Sequence, residues 1–169
     1  MGFSVSAAFA VIAVAVIASF GVIYASGENA YFSIMEASEE HSLQLTKIQT
    51  AELELVDYNY TARSDIPLYD IWFEIMNSGT TLSPNQWVVI YDGNLGSPSV
   101  TLPAREYLLP GEELNVTVQN IPKDPNVTHA LVISTETGCA LKVKWVWSGN
   151  STNGSPQVVG SAWYCPLEG

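Results

Sequence analysis

Positively charged side chains are scarce: the 169 residues carry six Lys and Arg against 17 Asp and Glu, a net charge of −11. With no basic stripe to neutralise phosphates, and with long-range repulsion from the acidic excess, nucleic acid is excluded as a partner. The acidic surface favours solubility in salt and offers a complementary face to a basic or cation-bridged partner. Histidine occurs only twice, which leaves little general acid–base capacity near neutral pH. There is no G-x-S-x-G elbow, no phosphate-binding glycine loop and no paired-His metal motif. His41, His129, Cys139 and Cys165 show no metal-ligand spacing, and carboxylate pairs of the glycosidase kind cannot be recognised from spacing alone. The chain reads as non-enzymatic, with no cofactor and no metal.

Charge of either sign is missing from Phe3 to Ala25, and the first charged side chain is Glu28. An uncharged run of this length forms a helix of roughly 34 Å, enough to cross the hydrocarbon core of a bilayer. A cleaved secretory signal would show a basic leading segment, a shorter apolar run and an A-x-A-like site, so residues 1–27 are expected to be a retained transmembrane helix. No Lys or Arg precedes Lys47, so the positive-inside rule gives no orientation. A two-residue leading tail suits the cytosolic side and puts the acidic remainder outside. Ala7, Ala8, Ala10, Ala13, Ala15, Ala18, Ser19 and Gly21 are the small residues that permit close helix–helix approach in lipid. They suit a helix that packs on neighbours, and equally a generic anchor.

Residues 28–49 form a weakly amphipathic stalk, with Tyr31, Ile34, Met35, Ser38, His41, Leu45 and Ile48 at three- and four-residue spacings. Continuous with the first helix, it makes a rod of roughly 70 Å; Gly27 allows a hinge instead. From about Thr50 the period changes to two, as in Leu53-Glu54-Leu55, Leu114 to Gln119 and Leu141-Lys142-Val143-Lys144-Trp145. Further strands are expected at Tyr69 to Met76, Gln86 to Tyr91 and Ala130 to Thr135, with edge pieces at Ser99 to Leu102 and Gly160 to Trp163. Turn-formers such as Asp92-Gly93-Asn94 and Pro110-Gly111 separate them. Short strands at this spacing over residues 50–169 predict an extracytoplasmic, antiparallel, immunoglobulin-like β-sandwich.

Cys139 and Cys165 are expected to be bridged outside the cytosol. N-x-[ST] sequons begin at Asn59, Asn115, Asn126, Asn150 and Asn153, all beyond the apolar run, consistent with an exported, glycan-bearing surface. The aromatics point first to core packing, notably Trp72, Phe73, Trp145 and Trp147. Alternation nevertheless leaves apolar residues on both faces: Trp72 and Met76 lie opposite Ile71, Phe73 and Ile75, and Val146 lies opposite Trp145 and Trp147. Trp72, Met76, Trp145, Val146 and Trp147 are therefore candidates for a protein interface, with a sandwich edge or a folded-back loop as the alternative cover.

The opening Met1-Gly2-Phe3-Ser4-Val5-Ser6-Ala7, running straight into the apolar helix and followed by a helix and a β-domain, resembles the archaellum accessory protein F family. The close match covers about the first 25 residues; beyond it the likeness is one of architecture and length. The resemblance implies a single-pass subunit of the archaeal swimming motor. Its immunoglobulin-like domain would engage the S-layer protein in the pseudoperiplasmic space, as a homodimer or oligomer and together with a sister accessory subunit. It carries over no interface residue. The competing expectation is a subunit of an archaellin-like or pilin-like filament, the sister G-type archaellum protein included, with apolar helices bundled inside and β-domains outside. Such subunits need a basic-Gly processing site before the apolar run, and none is seen here. A surface receptor or lipoprotein is disfavoured by the lack of a lipobox Cys.

Overall fold

The computed structural model describes residues 3–63, 67–150 and 153–165, with side chains from residue 7 onward. The chain divides into two compact units, residues 1–44 and residues 45–169. Helix α1, Phe3–Thr50, runs unbroken through Gly27, so the hinge is not used. Between them, the strongly apolar first half and the amphipathic second half give the 3.6-residue ladder no Pro to interrupt it. Of the expected stalk stripe, Leu45 and Ile48 are partly buried, whereas Tyr31, Ile34 and Met35 remain exposed.

The second unit is a two-sheet antiparallel sandwich built from β1 (Leu53–Ala62), β2 (Leu68–Asn77), β3 (Val88–Tyr91), β4 (Asn94–Leu95), β5 (Val100–Thr101), β6 (Glu113–Pro122), β7 (Thr128–Ser134), β8 (Ala140–Gly149) and β9 (Gly154–Tyr164). One sheet has the order β1-β2-β6-β5 and the other β4-β3-β7-β8-β9. Labelled A to G, this is the immunoglobulin arrangement of A-B-E-D against C′-C-F-G, with β9 added beyond G. The tight β3–β4 turn uses Asp92 (φ 46°) and Gly93 (φ 82°), the two successive left-handed residues of a type I′ hairpin.

Strict alternation builds the core. Tyr69, Ile71, Phe73 and Ile75 of β2 meet Leu141, Val143, Trp145 and Trp147 of β8, all fully or almost fully buried. The ring centroids of Phe73 and Trp145 lie 5.0 Å apart, and those of Tyr69 and Trp147 4.8 Å apart. Trp145 Nε1 donates to the Tyr69 hydroxyl at 2.9 Å, so the only polar atom of each ring is satisfied and the bond joins the two sheets. Buried Asn77 organises the loops at the helix end: its Nδ2 donates to the carbonyls of Thr80 and Leu108, each at 2.8 Å, and its Oδ1 accepts from Gly79 N–H.

The disulfide joins Cys139 to Cys165, as expected; the first directly precedes β8 and the second directly follows β9, neighbouring strands of one sheet. Both sulfurs lie close to the Ile48 carbonyl, at 3.7 and 3.6 Å; bridged sulfur has no proton, so these are packing contacts. Trp163 Nε1 donates to Ala51 O at 3.1 Å beside them. The end of β9 and the last helical turn are thus tied to the same spot.

Candidate functional site

Along α1, Phe9, Val11, Ile12, Val14, Ile17, Phe20, Val22 and Ile23 are all exposed. Such a surface needs lipid or other helices to cover it, and the helix is long and apolar enough to cross a membrane. At about 100° per residue, Ala7, Ala10, Ala18 and Gly21 fall within roughly 80° of arc, while Ala13 and Ala15 lie on its flanks. The small residues singled out from the sequence therefore form one stripe of four with two outliers.

On the sandwich, burial separates the candidate aromatics. Trp145 and Trp147, read first as core residues and also as interface candidates, are 0% and 1% exposed and belong to the core, so they drop out of the interface. The physical reason is strand parity: Lys142, Lys144 and Val146 occupy the alternate positions of β8 and fix the outward face. Trp147 Nε1 is satisfied internally by Asn150 O at 3.0 Å. Trp72, read both as a core residue and as an interface candidate, is half-buried on the outer face of the four-stranded sheet with Met76, and Val146 is half-buried on the outer face of the other sheet. The candidate interface residues thus divide between opposite faces and the interior.

The outer face of the four-stranded sheet is acidic. Trp72 pairs across strands with Asn59 and Thr117, Glu74 with Asp57 and Asn115, and Met76 with Glu54 and Glu113. Repulsion from Glu113, reinforced by Asp57, pushes the Glu74 carboxyl above the usual carboxylate range. Asp70, at the far end of β2, is held by Arg63 at 3.1 Å and accepts Asn120 N–H at 2.8 Å, which fixes the left-handed Asn120 (φ 59°) of the β6 bulge.

The five-stranded sheet is the converse. Among the described residues no Asp or Glu falls on its strands, and its outer face carries Lys142 and Lys144 among Val88, Ile90, Val132 and Val146. The lysines were legible as one polar side of a strand, but the acid-free sheet around them was not.

A group that periodicity did not reveal sits at the β3 turn. His129 Nδ1 lies 2.7 Å from Asp92 Oδ2 and 3.0 Å from the Tyr91 hydroxyl, and the His129 ring packs on Trp145. Burial, reinforced by Asp92, holds the Tyr91 hydroxyl protonated well above the usual phenol range. Asp92 Oδ1 also accepts Ala130 N–H at 2.7 Å, so the carboxylate braces the turn against β7. His129 Nε2 is buried with no hydrogen-bond partner among the described residues. Among the described residues no cluster of His, Cys, Asp and Glu is arranged to hold a metal ion.

All five sequon asparagines are exposed. Asn59 and Asn115 stand on the acidic face, and Asn126, Asn150 and Asn153 lie in the β6–β7 and β8–β9 connections at one end of the sandwich. Met1 and Gly2 of the opening segment, and Ser151 and Thr152 of the Asn150 sequon, lie outside the described residues. No protein-family model matches the chain, and neither a curated protein nor a solved structure matches it.

Proposed function

We propose that this chain is a non-enzymatic anchoring subunit of the archaeal motility motor. In this reading the apolar half of α1 is held in the cell membrane and the sandwich stands in the extracellular, pseudoperiplasmic space. There it grips the S-layer protein as part of the stator, with a sister accessory subunit and as a homodimer or oligomer. The observation that carries the reading is the sequence from Met1 to Ala7 together with a long apolar helix, described from Phe3, that is followed by an immunoglobulin-like sandwich. A rotary device needs a stationary element, and a membrane helix joined to an adhesive domain connects a motor to a rigid external lattice.

The second reading is a subunit of an archaellin-like or pilin-like filament, the G-type accessory protein included. The stripe of Ala7, Ala10, Ala18 and Gly21 favours it, because helices bundled in a filament core need close approach. Mass spectrometry of the mature amino terminus in isolated envelopes and in purified filaments tests both. An intact Met1 or Gly2 start, present in envelopes and absent from filaments, is the expected result. Abundance in the filament fraction refutes the stator reading, and a start near Gly27 removes the anchor.

A further inference from the structure

The two broad faces of the sandwich differ in charge far more than the composition requires. Among the described residues, five carboxylates, Glu54, Asp57, Asp70, Glu74 and Glu113, belong to strands of the four-stranded sheet, and none belongs to the five-stranded sheet. The cations divide in the opposite sense. Arg63 pairs with Asp70 and Arg105 with Glu112, Lys123 donates to Arg63 O and lies over the Trp147 ring, and Lys47 sits in the last turn of α1. Lys142 and Lys144 remain, two residues apart on β8, pointing from the same face with no carboxylate partner among the described residues. Their cross-strand neighbours are Val132 and Ala130 on β7 and Ala162 and Gly160 on β9. Ile90 and the exposed Val88 extend the apolar surface along β3.

The sequons avoid this face. Two stand on the acidic sheet and three in end connections, so glycosylation at every site would leave the strands of the lysine-bearing face bare. On this face the two lysines are flanked by apolar residues, with Thr128, Ser134, Ser148 and Gln157 toward its ends, and no strand of the sheet carries an acid; the face is therefore locally cationic although the net charge of the chain is −11, and is complementary to a local acidic patch on a protein. A second copy docked through the same face would oppose lysine to lysine. A second copy docked through its acidic face would have to cover Asn59 and Asn115. We propose that the outer face of the five-stranded sheet, centred on Lys142 and Lys144, docks an acidic surface of another protein. This rests on the reading of the sandwich as the part that grips a partner, and it names the face and the chemistry of that partner.

The test uses the full chain in detergent micelles, with two immobilised probes: poly-L-glutamate, and the surface lattice stripped from cells that make the protein. The wild type should bind both, less tightly as salt rises. Lys142→Glu with Lys144→Glu should weaken binding about tenfold or more. Glu54→Gln with Glu74→Gln and Glu113→Gln on the opposite face should cause no loss. Near-UV circular dichroism identical to the wild type confirms that the variants fold. Equal binding by the double lysine variant, or no wild-type binding to poly-L-glutamate, overturns the proposal. If the wild type ignores the lattice yet holds poly-L-glutamate through the lysines, the docking face stands and the S-layer reading fails. Lysine-dependent self-association in sedimentation, or equal lysine-dependent binding to phosphatidylglycerol vesicles, overturns the choice of partner.

Discussion

Removing the Cys139–Cys165 bridge should cost the sandwich far more than the loss of one packed side chain. The cysteines are 26 residues apart, and closing a loop of that length lowers the entropy of the unfolded chain by an amount worth about 3.5 kcal/mol at 25 °C. For a unit of this size that corresponds to a fall of about 10–15 °C in Tm. All five tryptophans lie in the sandwich, so intrinsic fluorescence follows its unfolding without interference from α1, which detergent keeps helical. The comparison is between the oxidised chain, the chain reduced with dithiothreitol, and Cys139→Ala with Cys165→Ala. The reduced protein and the variant should melt together, well below the oxidised form. A fall of less than about 3 °C would refute the reasoning, because it would mean that the unfolded chain already keeps β8 and β9 together.

Two other perturbations follow from the same geometry. A Cβ on Gly79 would collide with the backbone of Thr50 and Glu52, so Gly79→Ala should lower stability by about 2–3 kcal/mol in urea titrations, whereas Gly160→Ala, with open space around it, should be nearly neutral. Burial raises the Tyr69 hydroxyl to about 12, so the folded state keeps a proton that the unfolded state releases near pH 10; this contribution is complete below pH 10, is lost as pH rises toward 12, and amounts to about 2–3 kcal/mol. Urea midpoints measured from pH 9 to 12 should show that decline in the wild type and a shallower one in Tyr69→Phe, which itself costs about 1–2 kcal/mol at neutral pH by orphaning Trp145 Nε1.

Helix and sandwich were legible wherever one period held without interruption. In β2, Tyr69, Ile71, Phe73 and Ile75 alternate with polar or half-buried residues, and the strand extends only one residue beyond each expected end. Expectation fell short where a bulge breaks the period. Val56 is the extra residue between Leu55 and Asp57, so the polar, aromatic run from Asp57 to Ala62 does not continue the alternation of Leu53 to Leu55, although all of it is β1. In β9, Val159 is the unpaired residue, and Pro156 lies in the half of the strand that the sequence did not suggest.

The candidate interface was harder to read because it depends on which strands become neighbours. Residues 137–167 contain no Asp or Glu, a gap visible in the sequence, but by itself it covers only β8 and β9. Of the other acid-free strands, β7 lies just before this gap across Glu136, but β3 lies far earlier in the chain, and only the order β3-β7-β8-β9 brings it alongside. Parity within each strand decides the tryptophans. Trp145 and Trp147 are inward because Lys142 and Lys144 share their strand in the opposite phase, and Trp72 is outward because Tyr69, Ile71 and Phe73 fill the other side of β2. A face made of residues that each look unremarkable along the chain gains its character from pairing: two lysines that an outward-facing acid on β7 or β9 would neutralise meet only Ala, Val and Gly across the strands. The missing countercharge is therefore a property of the assembled sheet, and it makes the identity of whatever approaches Lys142 and Lys144 a question of charge before it is one of shape.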